Sequence, residues 1–233
     1  MNELKKMKHI ILCGDSIFDN QPYINAGEKN VTKQVESLLT EGSSVTRLAL
    51  DGDITTGITD QLRNLPDDAT HLFISVGGND ALSNIDQFTK EVKTVGEALT
   101  IVNDWRNSFQ VEYSKMMQHA MSFQLPITVC TIYYPRFNAH SLGRVSDYLG
   151  ENINGESLQK VAMAALSVFN DIITKEAFQI GIPVIDLRIL CNDDSDFANP
   201  IEPSEAGGQK IAEMIQHIAF SYDFSQNTST VFC

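Results

Sequence analysis

Three short turns carry the side chains in this sequence that are best suited to attack and stabilise an acyl group. Gly14-Asp15-Ser16 supplies a hydroxyl, Gly52 an unhindered backbone N–H, and Asn79 an uncharged amide. Acyl transfer from an ester needs a nucleophile together with hydrogen-bond donors for the developing oxyanion. The hydroxyl of Ser16 would attack, and the backbone N–H groups of Ser16 and Gly52 with the Asn79 amide would stabilise the oxyanion.

Each of these turns follows a predicted buried strand. Runs of apolar and β-branched residues predict strands at 9–13, 45–50, 71–76, 127–133 and 182–187. The carboxyl ends of parallel strands share one edge of a sheet, where ligands bind in open α/β folds. The three turns should therefore meet there, although each one alone is equally suited to a plain turn or a helix cap.

Helical patterns separate the strands, at about 31–39, 55–65, 95–123, 158–180 and 205–219. Alternating strands and helices predict an α/β fold with a five-stranded, doubly wound parallel sheet of the flavodoxin-like type. We expect one domain over 1–233, a polar loop at 138–154, and a tail at 221–233 that is loose or packed on the surface.

Composition restricts the partners and the compartment. The 233 residues carry a formal net charge of −13, which disfavours nucleic acid and anionic membrane surfaces as partners. No apolar stretch reaches the length of a membrane span or a signal peptide. The cysteines are scattered without a C-x-x-C pair, which predicts no metal site and a cytoplasmic, reducing location; they are Cys13, Cys130, Cys191 and Cys233.

Phosphate and flavin binding is disfavoured by the first turn. It lacks both the G-x-x-x-x-G-K-[ST] loop and the G-x-G-x-x-G pattern. The carboxylates of Asp15 and Asp19 would also repel phosphate. The sequence thus predicts no cofactor, and it gives no indication of the oligomeric state.

Taken in chain order, the Ser16, Gly52 and Asn79 turns resemble the first three sequence blocks of the SGNH (GDSL-type) hydrolases. A Pro-Ser-x-x-Gly-Gly frame before the last helix, 203–208, resembles the fourth. The resemblance implies a flavodoxin-like fold, a small-molecule ester or acyl substrate, and cofactor-free hydrolysis through an acyl-serine.

The sequence departs from this family at the fourth block. The resemblance calls for a catalytic histidine there, with an aspartate three positions earlier, but this chain has Glu202 and Asn199. Most of its histidines are predicted at the opposite end of the sheet or within helices. The fifth histidine, His140, follows the fourth strand and could reach the site. The other four, predicted away from the site, are His9, His71, His119 and His217.

Two hypotheses follow from this substitution. In the first, Glu202 is the general base for Ser16, with a pKa raised by burial and by Asp194 or Asp196, and Asn199 orients it. In the second, hydrolysis is lost and the pocket binds an acyl or sugar ligand. A titratable residue at this position favours the enzyme, because loss of function would not require one.

Four further residues are expected to support the pocket. Asp15 and Asp80 flank the oxyanion donors and should fix the turn geometry. Tyr134 and Arg136 follow the fourth strand at the same edge and should line the pocket, unless the tyrosine only packs. Pairing of Arg136 with Glu202 would lower the pKa of Glu202 and weaken it as a base.

Overall fold

A parallel sheet forms the centre of the molecule in the computed structural model, which describes residues 7–137, 155–226 and 228–233. Its strand order is β2-β1-β3-β4-β5-β8, and every neighbouring pair is parallel. A separate antiparallel pair, β6-β7, lies outside this sheet. The strands are β1 (His9–Gly14), β2 (Ser44–Arg47), β3 (His71–Ser75), β4 (Ile127–Cys130), β5 (Val184–Ile185), β6 (Phe197–Asn199), β7 (Glu202–Pro203) and β8 (Val231–Phe232).

Helices connect the strands on both faces of the sheet. They are α1 (Val31–Leu38), α2 (Ile58–Leu62), α3 (Gly78–Leu82), α4 (Val95–Met121), α5 (Gly155–Ile180), α6 (Leu187–Leu190) and α7 (Glu205–Ser221), with 3₁₀ turns at Thr55–Gly57, Ile85–Thr89 and Asp194–Asp196. Side-chain caps begin α1 and α7, where Asn30 accepts from Lys33 N and Ser204 accepts from Gly207 N.

The alternation of side chains along each strand divides the core into two clusters. Ile11 and Cys13 of β1 pack with α2, α4 and α5, whereas Ile10 and Leu12 pack with α1 and α7. Both faces of β1 are therefore buried, as a continuous apolar run predicts for a central parallel strand. This packing fixes the carboxyl end of β1, where Ser16 follows.

The doubly wound parallel sheet is confirmed, with one more strand than the sequence predicts. β8 lies in the segment expected to be a loose tail, and Val231 and Phe232 pair with Val184 and Ile185 of β5. A two-residue strand is too short to produce a periodic pattern. The predicted loop at 138–154 and His140 lie outside the described residues. Among the residues described, no helix is both long and apolar enough to cross a bilayer.

Several strands end earlier than predicted at their carboxyl ends. β2 ends at Arg47 instead of residue 50, and β4 at Cys130 instead of residue 133. Most of the apolar residues beyond these ends leave the sheet and form loops at its carboxyl edge, where they are still buried or half-buried, although Leu50 is exposed. Burial in a loop and burial in a strand give the same sequence pattern, which is why the strands were overestimated.

Candidate active site

The turn after β1 places Ser16 at the carboxyl edge of the sheet. Gly14 has φ +143°, and a Cβ atom there would lie 1.9 Å from the carbonyl oxygen of Ser75, so only glycine fits. Asp15 N donates to that same oxygen (3.1 Å), and Asp19 N donates to Asp15 O (3.1 Å). Ser16 is 7% exposed and lines a cavity at this edge of the sheet.

Glu202 lies in the same cavity, on the short strand β7. Its side chain is 5% exposed, and Oε2 has no hydrogen-bond partner among the described residues. Burial raises the pKa of Glu202 to about 8, an effect that interaction with the Ser16 hydroxyl reduces. An unpaired carboxylate oxygen beside a serine hydroxyl is placed to accept its proton.

The acidic neighbours of Glu202 differ from those expected. Its pKa is raised further by the charges of Asp15 and Asp51, which follow β1 and β2. Burial raises the pKa of Asp15 itself to about 7, with smaller contributions from Asp80 and Asp53. The turns that carry the candidate catalytic groups thus also bring carboxyl groups together.

The prediction that Asp194 or Asp196 would raise the pKa of Glu202 is wrong. Asp194 pairs with Arg136 (Oδ1–Nε 3.2 Å), and Asp196 pairs with Lys210 (Oδ2–Nζ 2.8 Å). Each carboxylate thus lies beside a cation, Lys210 being shared with Asp193. Arg136 pairs with Asp194, and it is not among the groups that shift the pKa of Glu202.

Asn79 lines the cavity at the start of α3. Its side-chain Nδ2 donates to Asp53 O (2.8 Å), which fixes the orientation of the amide and leaves one N–H for another acceptor. Gly52 lies in the exposed turn after β2, with φ +80°, and does not line the cavity. Asn79 is therefore the better-placed donor of the two.

Asp80 ties the start of α3 to the loop after β2. Its Oδ2 accepts hydrogen bonds from the backbone N–H and the hydroxyl of Thr55, both at 3.0 Å. Burial raises the pKa of Asp80, and these two hydrogen bonds oppose that effect. The predicted role of Asp80 in fixing the turn geometry agrees with these contacts.

Asn199 and Tyr134 do not make the contacts predicted for them. Asn199 Oδ1 accepts from Ile201 N (3.0 Å) within the β6–β7 turn. Asn199 faces Glu202 in the β6–β7 pair, but no hydrogen bond between their side chains is found among the described residues. The Tyr134 hydroxyl lies 3.2 Å from Ser167 Oγ on α5 and is outside the cavity. The neighbouring Ile132, Tyr133 and Pro135 line the cavity instead.

The cavity extends from these polar groups into an apolar pocket. It encloses about 900 Å³ of space free of protein atoms, including its open mouth. Its walls come from α3 with the 3₁₀ turn after it, from α4 and from α5. The apolar lining includes Leu82, Ile85, Phe88, Trp105, Phe137, Leu158, Ala162, Ala165, Leu166 and Phe169.

Comparison with known proteins identifies the fold. No protein-family model matches the chain, and no curated protein is significantly similar in sequence. Solved structures do match: an extracellular lipase from Streptomyces rimosus (16% identity, TM-score 0.62, covering 92% of this chain and 100% of that chain) and a phospholipase A1 from Streptomyces albidoflavus (14%, 0.61, 92% and 100%). A lipase from a goat rumen metagenome has a TM-score of 0.65 at 18% identity, covering 93% of this chain and 98% of that one. The chain shares their fold.

Two buried residues that sequence reasoning missed hold this lipase-like fold together at the site. Gln61 accepts from Gly14 N (2.9 Å), and its Nε2 donates to Gly14 O (2.7 Å) and to Asp53 Oδ2 (2.7 Å). Asn20 donates to Pro203 O (3.2 Å). The sequence signal that could have identified them is an amide residue among apolar residues. A buried amide needs hydrogen-bond partners for both its oxygen and its nitrogen, so it usually links separate segments.

Among the residues described, no group of three or more His, Cys, Asp or Glu side chains could hold a metal ion. The acidic side chains near Ser16 accept hydrogen bonds from backbone N–H groups, Asp15 from Ile17 N and Asp80 from Thr55 N. What the arrangement can do chemically is to deprotonate a hydroxyl beside an apolar pocket, with an amide donor near the reacting group.

Proposed function

We propose that the protein is a serine esterase of the SGNH type, in which Glu202 replaces histidine as the general base. The observation that carries the proposal is the buried Glu202 carboxylate next to Ser16, with one oxygen unpaired among the described residues. A base works best when its pKa lies near the working pH. Glutamate ordinarily titrates near 4.3, and burial raises the pKa of Glu202 to about 8.

The proposed acylation step begins with attack by Ser16 Oγ on the ester carbonyl carbon while Glu202 takes the hydroxyl proton. The oxyanion then accepts hydrogen bonds from Asn79 Nδ2 and from the backbone N–H of Ser16, since both residues line the cavity whereas Gly52, the third donor expected from the sequence, does not. When the tetrahedral intermediate collapses, the bond to the alcohol oxygen breaks, and Glu202 returns the proton to the leaving alcohol.

The proposed deacylation step uses the same groups with water as nucleophile. Glu202 takes a proton from water, and the resulting hydroxide attacks the acyl-Ser16 carbonyl. Collapse of this second intermediate breaks the bond to Ser16 Oγ, which recovers its proton from Glu202. The acid is released and the free enzyme is regenerated.

The apolar pocket supports an acyl group as the part of the substrate bound there. Its walls include Phe88, Trp105 and Phe169, and apolar walls with a few convergent polar groups are typical of small-molecule sites. Such a lining favours an apolar acyl chain over a sugar. The alternative function, binding an acyl ligand without turnover, would use the same pocket.

Substitution of Glu202 tests the proposal. For Glu202→Gln, we expect kcat on p-nitrophenyl butyrate to fall by at least about 100-fold, because general-base catalysis typically contributes that much. The matched control is Glu205→Gln, three residues later, where a glutamine oxygen can still accept the hydrogen bond from Lys29 N. This control should keep kcat within about twofold.

A fluorophosphonate probe separates the two candidate functions. Wild type should label at Ser16, Ser16→Ala should not, and Glu202→Gln should label far more slowly. Unlabelled wild type that still binds a fatty acid would identify a binding protein. Wild-type turnover in Glu202→Gln would show that another group is the base.

A further inference from the structure

Glu202 lies on a segment that the main sheet does not hold. β7 has two residues and pairs only with β6, through Phe197 with Pro203 and Asn199 with Glu202, and the register shifts between these pairs. Since no hydrogen bond to Oε2 is found among the described residues, the position of the carboxylate depends strongly on where the backbone of β7 lies. The backbone of β7 must therefore be held by contacts from elsewhere.

One such contact comes from Asn20, which is 0% exposed. Its Nδ2 donates to Pro203 O (3.2 Å), the carbonyl directly after Glu202, and its Oδ1 accepts from Val31 N (3.0 Å) at the start of α1. Both ends of the amide are thus occupied, which fixes its orientation.

Asn20 directly follows the turn that carries Ser16. Phe18 N and Asp19 N both donate to Asp15 O, at 3.2 and 3.1 Å, so residues 15–19 form one compact turn. The preceding side chain, Asp19, accepts from Asp51 N (3.1 Å) in the loop after β2. Asp19 therefore contacts the loop after β2, and Asn20 contacts the strand β7 that carries Glu202.

We infer that Asn20 is a positioning residue that sets the separation between the Ser16 hydroxyl and the Glu202 carboxylate. It links the turn of the proposed nucleophile to the strand of the proposed base by one buried hydrogen bond. The consequence for catalysis rests on the proposed function, since it requires Glu202 to act on Ser16. A displacement of about 1 Å in a catalytic group can cost about 100-fold in rate.

Two substitutions remove this hydrogen bond in different ways. Asn20→Asp keeps the shape and the acceptor for Val31 N but sets a carboxylate oxygen against Pro203 O. Asn20→Ala removes the donor without adding charge. For both we expect kcat on p-nitrophenyl butyrate to fall at least 10-fold with KM within threefold, since binding in the apolar pocket is unaffected.

Gln34 provides the matched control, because its Nε2 donates to Glu205 O (2.8 Å) at the start of α7. It is equally buried but holds a residue three positions beyond Glu202. Gln34→Glu and Gln34→Ala should lower the thermal stability and keep kcat within twofold. An equal loss of kcat in both pairs of variants would show general loosening and overturn the inference.

A readout independent of activity is the Ser16 Oγ to Glu202 carboxylate distance in crystal structures of wild type and Asn20→Asp. We expect it to lengthen by about 1 Å, the displacement that the rate argument requires. An unchanged distance would overturn the positioning role even if the protein is an esterase. A wild type inert to esters and fluorophosphonate would overturn the proposed function, while a lengthened distance would still support the positioning role.

Discussion

Two buried carboxyl groups, Asp15 and Glu202, interact electrostatically beside the Ser16 hydroxyl. Their pKa values are raised to about 7 and about 8, in both cases mainly by burial. The charge of Asp15 adds to the rise in the pKa of Glu202, so the titration of Glu202 depends on the charge of Asp15. Catalysis by Glu202 requires its deprotonated form, and kcat/KM should therefore rise with pH through this range.

Removing the charge of Asp15 should shift that rise to lower pH. In Asp15→Asn the amide oxygen can still accept from Ile17 N, as Asp15 Oδ1 does at 3.1 Å, but it no longer repels the Glu202 anion. We expect the acid limb of the kcat/KM profile for p-nitrophenyl butyrate to move down by about half a unit or more. Asp60→Asn, at an exposed position on α2, should leave the limb in place.

The same shifts make the folded state less stable as pH rises. Glu202 and Asp15 have folded pKa values above those of the unfolded chain, so the native state holds more protons between about pH 4 and the raised values near 7 and 8. Their contribution to the free energy of unfolding is full below that window and is lost across it. The free energy of unfolding, measured by urea denaturation, should fall between pH 5 and pH 8 in wild type. In Glu202→Gln this fall should be smaller by on the order of 2 kcal/mol. An identical pH dependence would contradict the raised pKa.

At the scale of the elements, the turn after β1 depends on a glycine. Gly14→Ala would place Cβ 1.9 Å from Ser75 O at φ +143°, and we expect it to destabilise the fold by about 3 kcal/mol or more. Gly27→Ala is the control, since φ there is +96° but nothing lies within 4 Å of the added atom. It should cost only about 1 kcal/mol of strain. Thermal melts of the two variants measure the difference.

The sequence predicted the elements whose patterns are long and failed on those that are short. The apolar run of β1 and its turn correctly placed Ser16 at the sheet edge, and the position of Glu202 before α7 placed it in the same cavity. β6, β7 and β8 have two or three residues each, and pairing of that length depends on tertiary contacts. The ion pairs of Arg136 and Lys210 were unpredictable for the same reason, because they join side chains distant in the chain.

At the scale of the whole molecule, the apolar pocket extends between the helices on one face of the sheet. Ala162 is a small residue in its wall on α5, and Met163 beside it is 38% exposed. Ala162→Phe should fill the pocket and lower kcat/KM for p-nitrophenyl decanoate at least 10-fold, with p-nitrophenyl acetate within threefold. Met163→Phe should leave kcat/KM unchanged for both esters. Equal losses on both esters would show that the acyl chain binds elsewhere.

The strand β8 determines which backbone groups form the outer edge of the main sheet beside β5. β5 has only two residues, and β8 occupies the hydrogen-bonding groups along its outer side. An uncovered apolar edge strand is a template for association with another chain. β8 is then itself the edge strand of the sheet and has only two residues, so the edge that the sheet presents on this side offers little backbone for pairing with another chain.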